Sequence, residues 1–490
     1  MLVPAVHALA LGEMRTAQVF GADAALGLLL ALLLGLALAG RAMPDEPRRH
    51  LAGLLALFVA LPLMLAMPFR QVVGNTTLLN AYVEMVSCLT TTGATLFDQP
   101  GRLTMPLHLW RATVGWLGGL FILVGAVAVL EPMALGGFEV RRRNRATTDP
   151  AVAFTQFTDR ASLSERVAAH LRRLLPVYGG LTLVLWAGLR LTGEAPAVAL
   201  IHAMSTLATS GISPEGGLAG GGAGIGGEAI VALFLIFGIS RLTFETDRGP
   251  GGLASLRALG RDTEIRLATA LALIVPAVLF LRHFVGAYQV EGLDISLRDA
   301  PGALWGAVFT VLSFLTTTGW ASAGWETSQA WSGLDTPALI LVGLALIGGG
   351  VATTAGGAKL LRVAALYNHG RRELGRLVYP HMVAGAGGEA RHLRRQGAYM
   401  AWLFFMLMAV SAAGLMAAFA LTGLDFAEAL VLTISGLTTT GPLASYAAAE
   451  PISFASLGTG AKAVLTVAMI LGRIDTLAIV ALFSPALWRR

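Results

Sequence analysis

Three times the chain spells Thr-Thr-Thr-Gly, at Thr90 to Gly93, Thr316 to Gly319 and Thr438 to Gly441. Once it spells a near copy, Ala208-Thr209-Ser210-Gly211. The glycines are 118, 108 and 122 residues apart (211 less 93, 319 less 211, 441 less 319), a four-part internal repeat. The chemistry these residues suit is cation coordination. A dehydrated cation needs oxygens in place of its water, and backbone carbonyls from four loops around one axis supply them. Threonine adds a hydroxyl oxygen and a β-branch that stiffens an extended backbone. Glycine lets the chain take dihedrals that a Cβ forbids.

Short elements must position these words. Residues 81–89, 197–207, 303–315 and 426–437 precede the four copies, and as helices they would span about 13–19 Å at 1.5 Å per residue. A hydrocarbon core of roughly 30 Å is too thick for them to cross, so they enter and return. Pro196 and Pro301 suit a first helical turn, and Asp299 and Asp425 suit N-terminal caps. Apolar segments long enough to cross lie near 51–68, 107–130, 174–192, 228–246, 267–284, 337–366 (interrupted), 397–422 and 459–487. Residues 24–40 form another, read as an uncleaved helix because its stronger positive charge, Arg41, Arg48 and Arg49, follows the run. The expected architecture is therefore an all-α polytopic membrane protein with about nine crossings: four membrane-pore-membrane repeats around one central pore, plus one N-terminal helix. The divisions are 1–50, then 51–140, 166–248, 262–376 and 391–490.

Composition agrees. Of 490 residues, 55% are hydrophobic and 13% charged, where soluble domains average roughly 45–50% and 25%. Cys88 is the single cysteine, which excludes intramolecular disulfides and thiolate clusters. The net charge of +6 is carried almost wholly by arginine. Arg141, Arg142, Arg143, Arg145, Arg166, Arg172 and Arg173 crowd the first connection between repeats; Arg248, Arg257, Arg261 and Arg266 the second; Arg371, Arg372, Arg376, Arg391, Arg394 and Arg395 the third. Arg489 and Arg490 close the chain. These sit beside apolar segments and not on one interleaved basic face, which favours a bilayer over nucleic acid. By the positive-inside rule they are cytoplasmic, with every repeated word on the outer side. Asp98, Glu194, Glu215, Glu291, Asp294 and Glu326 then fall on outer loops. Half-length helices entering from outside aim C-terminal ends, each with roughly half a negative charge, at the membrane centre.

Residues 89–95, 204–213 and 316–320 resemble the filter loops of the Trk/Ktr/HKT potassium transporters, most closely the bacterial TrkH branch. Trp110-Arg111, Trp116-Leu-Gly-Gly, Ala355-Gly-Gly-Ala-Lys359, Leu471-Gly-Arg473 and residues 483–490 extend the likeness from about residue 51 to the end. It implies a TrkH-like pore subunit: a homodimer with one pore per subunit, conducting K⁺ or Na⁺, with potassium as the bound ion. It also implies a cytoplasmic TrkA-like nucleotide-binding partner on the Arg-rich inner face. Glycine at all four filter positions goes with potassium in that family, and Gly93, Gly211, Gly319 and Gly441 are all present. The matching coordinating residues are Thr91 and Thr92, Thr209 and Ser210, Thr317 and Thr318, and Thr439 and Thr440. The fourth loop departs from the family's Asn-Leu-Gly, and one N-terminal helix stands where two are usual.

Gly348, Gly349 and Gly350, then Thr353, Thr354, Gly356 and Gly357, interrupt a long apolar segment. Glycine costs about 1 kcal/mol relative to alanine inside a helix, so the helix breaks here. Irregular backbone at membrane depth must be buried or line water, and this loop is read as a gate below the filter, as the resemblance also implies. The alternative is close packing on a neighbouring helix. Arg473 lies at similar depth, where the resemblance puts it on the conduction path. Asp475, two residues on, does not face it. Arg241 is open to the same reading or to snorkelling. Lys359 and Arg362 are placed at the cytoplasmic boundary or against a partner. Two competing functions are weighed: an ion-coupled symporter, since broken helices mark secondary transporters, and an intramembrane hydrolase using His202 with Ser205 or Ser210. Four repeats in one direction oppose the first, and the absence of a nucleophile-elbow or metalloprotease motif opposes the second.

Overall fold

The computed structural model describes residues 1–39, 46–141, 162–241, 260, 262–286, 297–333, 338–378, 388–448 and 450–483. Among them all regular structure is helical. Arg142, Arg143, Arg145, Arg248, Arg257, Arg261, Glu291, Asp294, Arg489 and Arg490 lie outside the described residues, as does the C-terminal motif after Phe483.

The N-terminal region differs from the single helix expected over 24–40. Helix α1 (Leu2–Ala10) comes first and α2 runs over Met14–Leu38. Arg15, Gln18 and Asp23 mask the start of α2 in an apolar scan. Its buried stripe, Thr16, Phe20 and Ala24, recurs every four residues and faces the protein. Phe20 meets Trp110 edge to face at 5.5 Å.

The half-length helices form where the words require them: α4 (Leu78–Leu89), α7 (Pro196–Ala208), α10 (Ala300–Leu315) and α15 (Phe426–Leu437), of 12, 13, 16 and 12 residues. Asp425 caps α15, accepting from Glu428 N–H at 2.7 Å. Asp299 makes no side-chain cap at α10, and Thr77 caps α4. Around them stand α3 (Pro47–Val73), α5 (Met105–Gly125), α6 (Leu163–Leu191), α8 (Gly224–Leu235), α9 (Thr263–Gly286), α11 (Trp325–Ser332), α12 (Ala338–Ile347), α13 (Leu360–Val378), α14 (Gly388–Ala420), α16 (Thr459–Ile474) and α17 (Thr476–Phe483).

Six described helices are long and apolar enough to cross a bilayer, not nine. The other three expected spans are broken. The segment expected over 228–246 leaves helical geometry after Gly238. The interrupted one breaks between Ile347 and Leu360, as its glycines require. The last, expected as one helix over 459–487, breaks at Asp475, with φ 82° and ψ 124°. Asp475 Oδ1 accepts from Leu477 N–H at 3.1 Å and starts α17, an N-cap inside an apolar run. In the first quarter the corresponding helix widens to π geometry over Ala126–Leu130.

Packing closes a circle. α5 lies on α7, α8 on α10, α12 on α15, and α16 returns to α4. Each half-length helix is thus covered by a helix that follows the loop of the preceding quarter, and the four C-terminal ends converge.

Candidate functional site

All four half-length helices end alike. The N–H before each glycine donates five residues back: Thr92 to Ser87 at 2.8 Å, and Ser210 to Ser205, Thr318 to Ser313 and Thr440 to Ser435 at 2.9 Å. The N–H one residue earlier donates three back, Thr91 to Cys88 at 2.9 Å, and Thr209 to Thr206, Thr317 to Phe314 and Thr439 to Gly436 at 3.1 Å. Together these bonds make a Schellman ending, whose left-handed residue is usually glycine. Here it is threonine each time: Thr91, Thr209, Thr317 and Thr439 have φ of 54°, 49°, 57° and 53°. The extended threonine backbone expected from the sequence is therefore corrected at this position, because helix termination demands a left-handed residue. That conformation costs an L-residue roughly 1–2 kcal/mol, and strain of this kind gathers at functional sites.

The threonines of each word have different parts. The first bonds back to its helix, with Thr90 Oγ1 donating to Val86 O at 2.7 Å, Thr316 to Leu312 at 3.0 Å and Thr438 to Ile434 at 2.8 Å. It also meets the third hydroxyl at 2.8, 3.2 and 3.1 Å respectively. The third hydroxyl is thereby tied inward. In the second quarter Ala208 lacks a hydroxyl, and Ser205 Oγ meets Ser210 Oγ at 3.0 Å instead. A serine stands six residues before every glycine, at Ser87, Ser205, Ser313 and Ser435, a spacing the sequence displays and the initial reading missed. The middle hydroxyls of Thr91 and Thr439 are buried without a protein hydrogen-bond partner.

The glycines let the loops touch. A Cβ on Gly93 would overlap the Ser210 carbonyl, one on Gly211 the Thr318 carbonyl, and one on Gly441 the Ala94 backbone. A Cβ on Gly319 would lie 3.1 Å from Pro442. First meets second, second third, third fourth and fourth first, so the loops form a closed ring. Gly441 N–H donates to the Thr92 carbonyl at 2.6 Å, and Trp320 Nε1 donates to the Gly211 carbonyl at 3.1 Å. Gly93, Gly211 and Gly319 take positive φ but Gly441 does not, since the chain turns at once into a helical turn, Leu443–Tyr446. A cavity of about 470 Å³ adjoins the ring, lined by Gly93, Gly211, Gly441, Thr95, Asp98 and Arg111. Among the described residues no group of three or more His, Cys, Asp or Glu could hold a metal.

On the other side lies the glycine-rich break. Gly356 N–H donates to Thr317 Oγ1 at 2.7 Å, and Thr354 Oγ1 donates to Leu207 O at the end of α7 at 3.0 Å. Gly350 N–H and Thr353 Oγ1 both reach the Gly238 carbonyl at 3.0 Å. Arg473 Nη1 donates to the Thr354 carbonyl at 2.6 Å. Gly349 and Gly350 have no room for a Cβ against Gly238 and Ile239, and Gly348 none against Gly356 and Gly357. The loop is thus close-packed as well as broken, and it bears on three quarters of the ring. A cavity of about 50 Å³ beside it is lined by Arg473, Lys359, Arg362 and Asp475.

Several charged residues differ from expectation. Arg362 is 1% exposed, not at a boundary. Its Nε is 2.5 Å from Glu139 Oε1, its Nη2 2.6 Å from Asp475 Oδ2, and its guanidinium 3.7 Å above the Phe404 ring. Lys359 donates to the Ala355 carbonyl. Arg241 lies 3.4 Å from Glu131. Glu194 is buried and holds His202 at 2.7 Å, so it is no solvated mouth charge. His202 bonds Ser213 at 2.9 Å, not Ser205 or Ser210, which removes the pairing on which the competing hydrolase reading rested. Asp98 accepts from Ser453 Oγ at 2.6 Å, and Glu215 and Glu326 are exposed. The buried pair Glu84–Arg111, at 2.7 Å, and the buried Glu228 went unnoticed in the sequence.

The TrkH family of cation transport proteins matches residues 266–490. A Trk system potassium uptake protein TrkH of Salmonella typhimurium is 30% identical over 417 residues, 85% of this chain and 80% of that protein. A TrkH of Halomonas elongata is 30% identical over 442 residues, 89% of this chain and 84% of that protein. The crystal structure of the potassium transporter TrkH from Vibrio parahaemolyticus shares the fold with a TM-score of 0.81 at 25% identity, covering 100% of this chain and 96% of that one. These proteins are transporters and not enzymes, and with relatives at that identity over most of their length the chain belongs to the TrkH family of cation transport proteins.

Proposed function

We propose that this chain carries out gated, channel-like potassium uptake across the bacterial cytoplasmic membrane, with the ring of four loops as its selectivity filter. One observation carries the reading: four equivalent helix ends, each with a left-handed threonine, meet at their glycines in a closed ring. Four converging C-terminal ends bring roughly half a negative charge apiece toward the ring centre. The carbonyls of Thr91 and Thr92, Thr209 and Ser210, Thr317 and Thr318, and Thr439 and Thr440 then replace the hydration shell of K⁺. Potassium is cargo here, not a resident cofactor. The positive-inside rule puts the ring on the outer side and the C-terminus in the cytoplasm.

The loop from Gly348 to Gly357 is the gate, and Arg473 is its latch. Hydrogen bonds to Leu207, Gly238, Thr317 and Arg473 hold the loop beneath the ring, each contributing about 0.5–1.5 kcal/mol. The positive charge of Arg473 adds a barrier to cations. The family likeness supports a homodimer and a cytoplasmic TrkA-like nucleotide-binding subunit that releases the loop.

The test is ion flux in liposomes under a K⁺ or Na⁺ gradient. The expected result is K⁺ flux with no co-substrate, exceeding that of Na⁺, with a lowered K⁺/Na⁺ ratio in Gly93→Ser. Flux that requires a second solute or ion overturns the reading.

A further inference from the structure

Nine residues before the four ring glycines stand Glu84, His202, Thr310 and Leu432, each 0% exposed on its half-length helix. Three are polar, and each ties down the chain that leaves the ring in its own quarter. Glu84 Oε2 accepts from Leu96 N–H at 2.8 Å while its Oε1 is held by Arg111 Nε at 2.7 Å. His202 Nε2 lies 2.9 Å from Ser213 Oγ while its Nδ1 lies 2.7 Å from Glu194 Oε1. Thr310 Oγ1 accepts from Ser322 N–H at 3.1 Å. Glu228 of the preceding quarter adds bonds from Ser322 Oγ at 2.6 Å and Ala323 N–H at 2.7 Å. Leu96, Ser213 and Ser322 all stand two or three residues beyond their glycine. The fourth quarter has no such tie, since Leu432 offers no polar atom. Its chain turns after Gly441, whose N–H bonds the first quarter's Thr92 carbonyl.

We infer that Glu84, His202 and Thr310 are positioning residues for ion selection, fixing three exits from the ring so that its oxygens cannot close on a smaller cation. The fourth exit is held by its neighbour and by Ser435, whose Oγ donates to the Thr440 and Gly441 carbonyls at 3.1 and 3.4 Å. This rests on the filter reading above. The physical reason is preorganisation. Oxygens select by spacing only while the segments carrying them are locked by hydrogen bonds from the surrounding shell.

The experiment compares initial K⁺ and Na⁺ fluxes per transporter in liposomes for Thr310→Val, Thr310→Ser, Ser213→Ala and Gly93→Ser. Valine is nearly isosteric with threonine and removes the acceptor for Ser322, whereas serine retains it. Ser213→Ala removes the hydroxyl facing His202 on a partly exposed loop, so it decides the matter if Thr310→Val fails to reach the membrane. The K⁺/Na⁺ ratio is expected to fall about fivefold in Thr310→Val and Ser213→Ala and to be preserved in Thr310→Ser, the scale of one lost hydrogen bond. A merely structural role would lower both fluxes together and leave the ratio alone. An unchanged ratio in Thr310→Val or Ser213→Ala, with a lowered one in Gly93→Ser, overturns the inference. An unchanged ratio in Gly93→Ser overturns the filter reading itself.

Discussion

At the scale of single residues, the ring glycines are not interchangeable. Gly93 needs both its φ of +73° and the space its missing Cβ leaves for the Ser210 carbonyl. Gly93→Ser displaces a carbonyl that belongs to the neighbouring loop, and K⁺ preference over Na⁺ should fall about tenfold, roughly 1.4 kcal/mol. Permeability ratios in planar bilayers check this. Gly441 lacks the positive φ, so Gly441→Ala should act through overlap with the Gly93 and Ala94 backbone and not through strain at its own φ. Arg362 presents a different sensitivity. Its removal leaves the Glu139 carboxylate and the half-buried Asp475 without their cation, and Arg362→Ala should destabilise the protein by about 3 kcal/mol. A lowered unfolding midpoint in detergent would report it, and an unchanged midpoint would contradict the burial of this triad. The four words were legible in the sequence because identity at fixed spacing needs no structure to be seen. Arg362 was not. Its partners lie 223 and 113 residues away, and no local pattern announces a contact of that separation.

At the scale of elements, the glycine-rich break between α12 and α13 is fastened by specific polar contacts. Thr354→Val removes the hydroxyl that reaches Leu207 and keeps the side-chain volume. Basal K⁺ flux without any cytoplasmic partner should rise severalfold, at about 1 kcal/mol for the bond lost. Deleting residues 350–356 should raise it further. A folded variant with reduced flux would assign the loop to packing. This break was visible as five glycines in ten residues, whereas the break at Asp475 was not, because no glycine or proline marks it. The Asp-Thr pair at 475 and 476 is a cap signature, but inside an apolar run it reads as a helix interior. The half-length helices were placed within three residues of their observed ends for a simple reason: apolar stretches this short have one way to meet a membrane.

At the scale of the whole molecule, the proposed function makes the chain one conducting unit whose arginine-rich connections face the cytoplasm. A nucleotide-binding subunit docked there should make flux depend on added nucleotide, and crosslinking in membranes should trap pairs of chains. Flux indifferent to every cytoplasmic partner, or chains that stay single, would dismiss each point in turn. The circle of packing has a further consequence for how the protein is made. Helix α4 is covered by α16, the Thr92 carbonyl is met by Gly441, and Asp98 is met by Ser453 across 355 residues of chain. During synthesis the earliest quarter therefore waits, with a buried-pair glutamate on an uncovered helix, until the ribosome has delivered the latest. Contacts of such separation form slowly and leave unfinished surfaces exposed. Under the proposed function, a nascent chain halted after α12 holds three quarters of a ring and no pore.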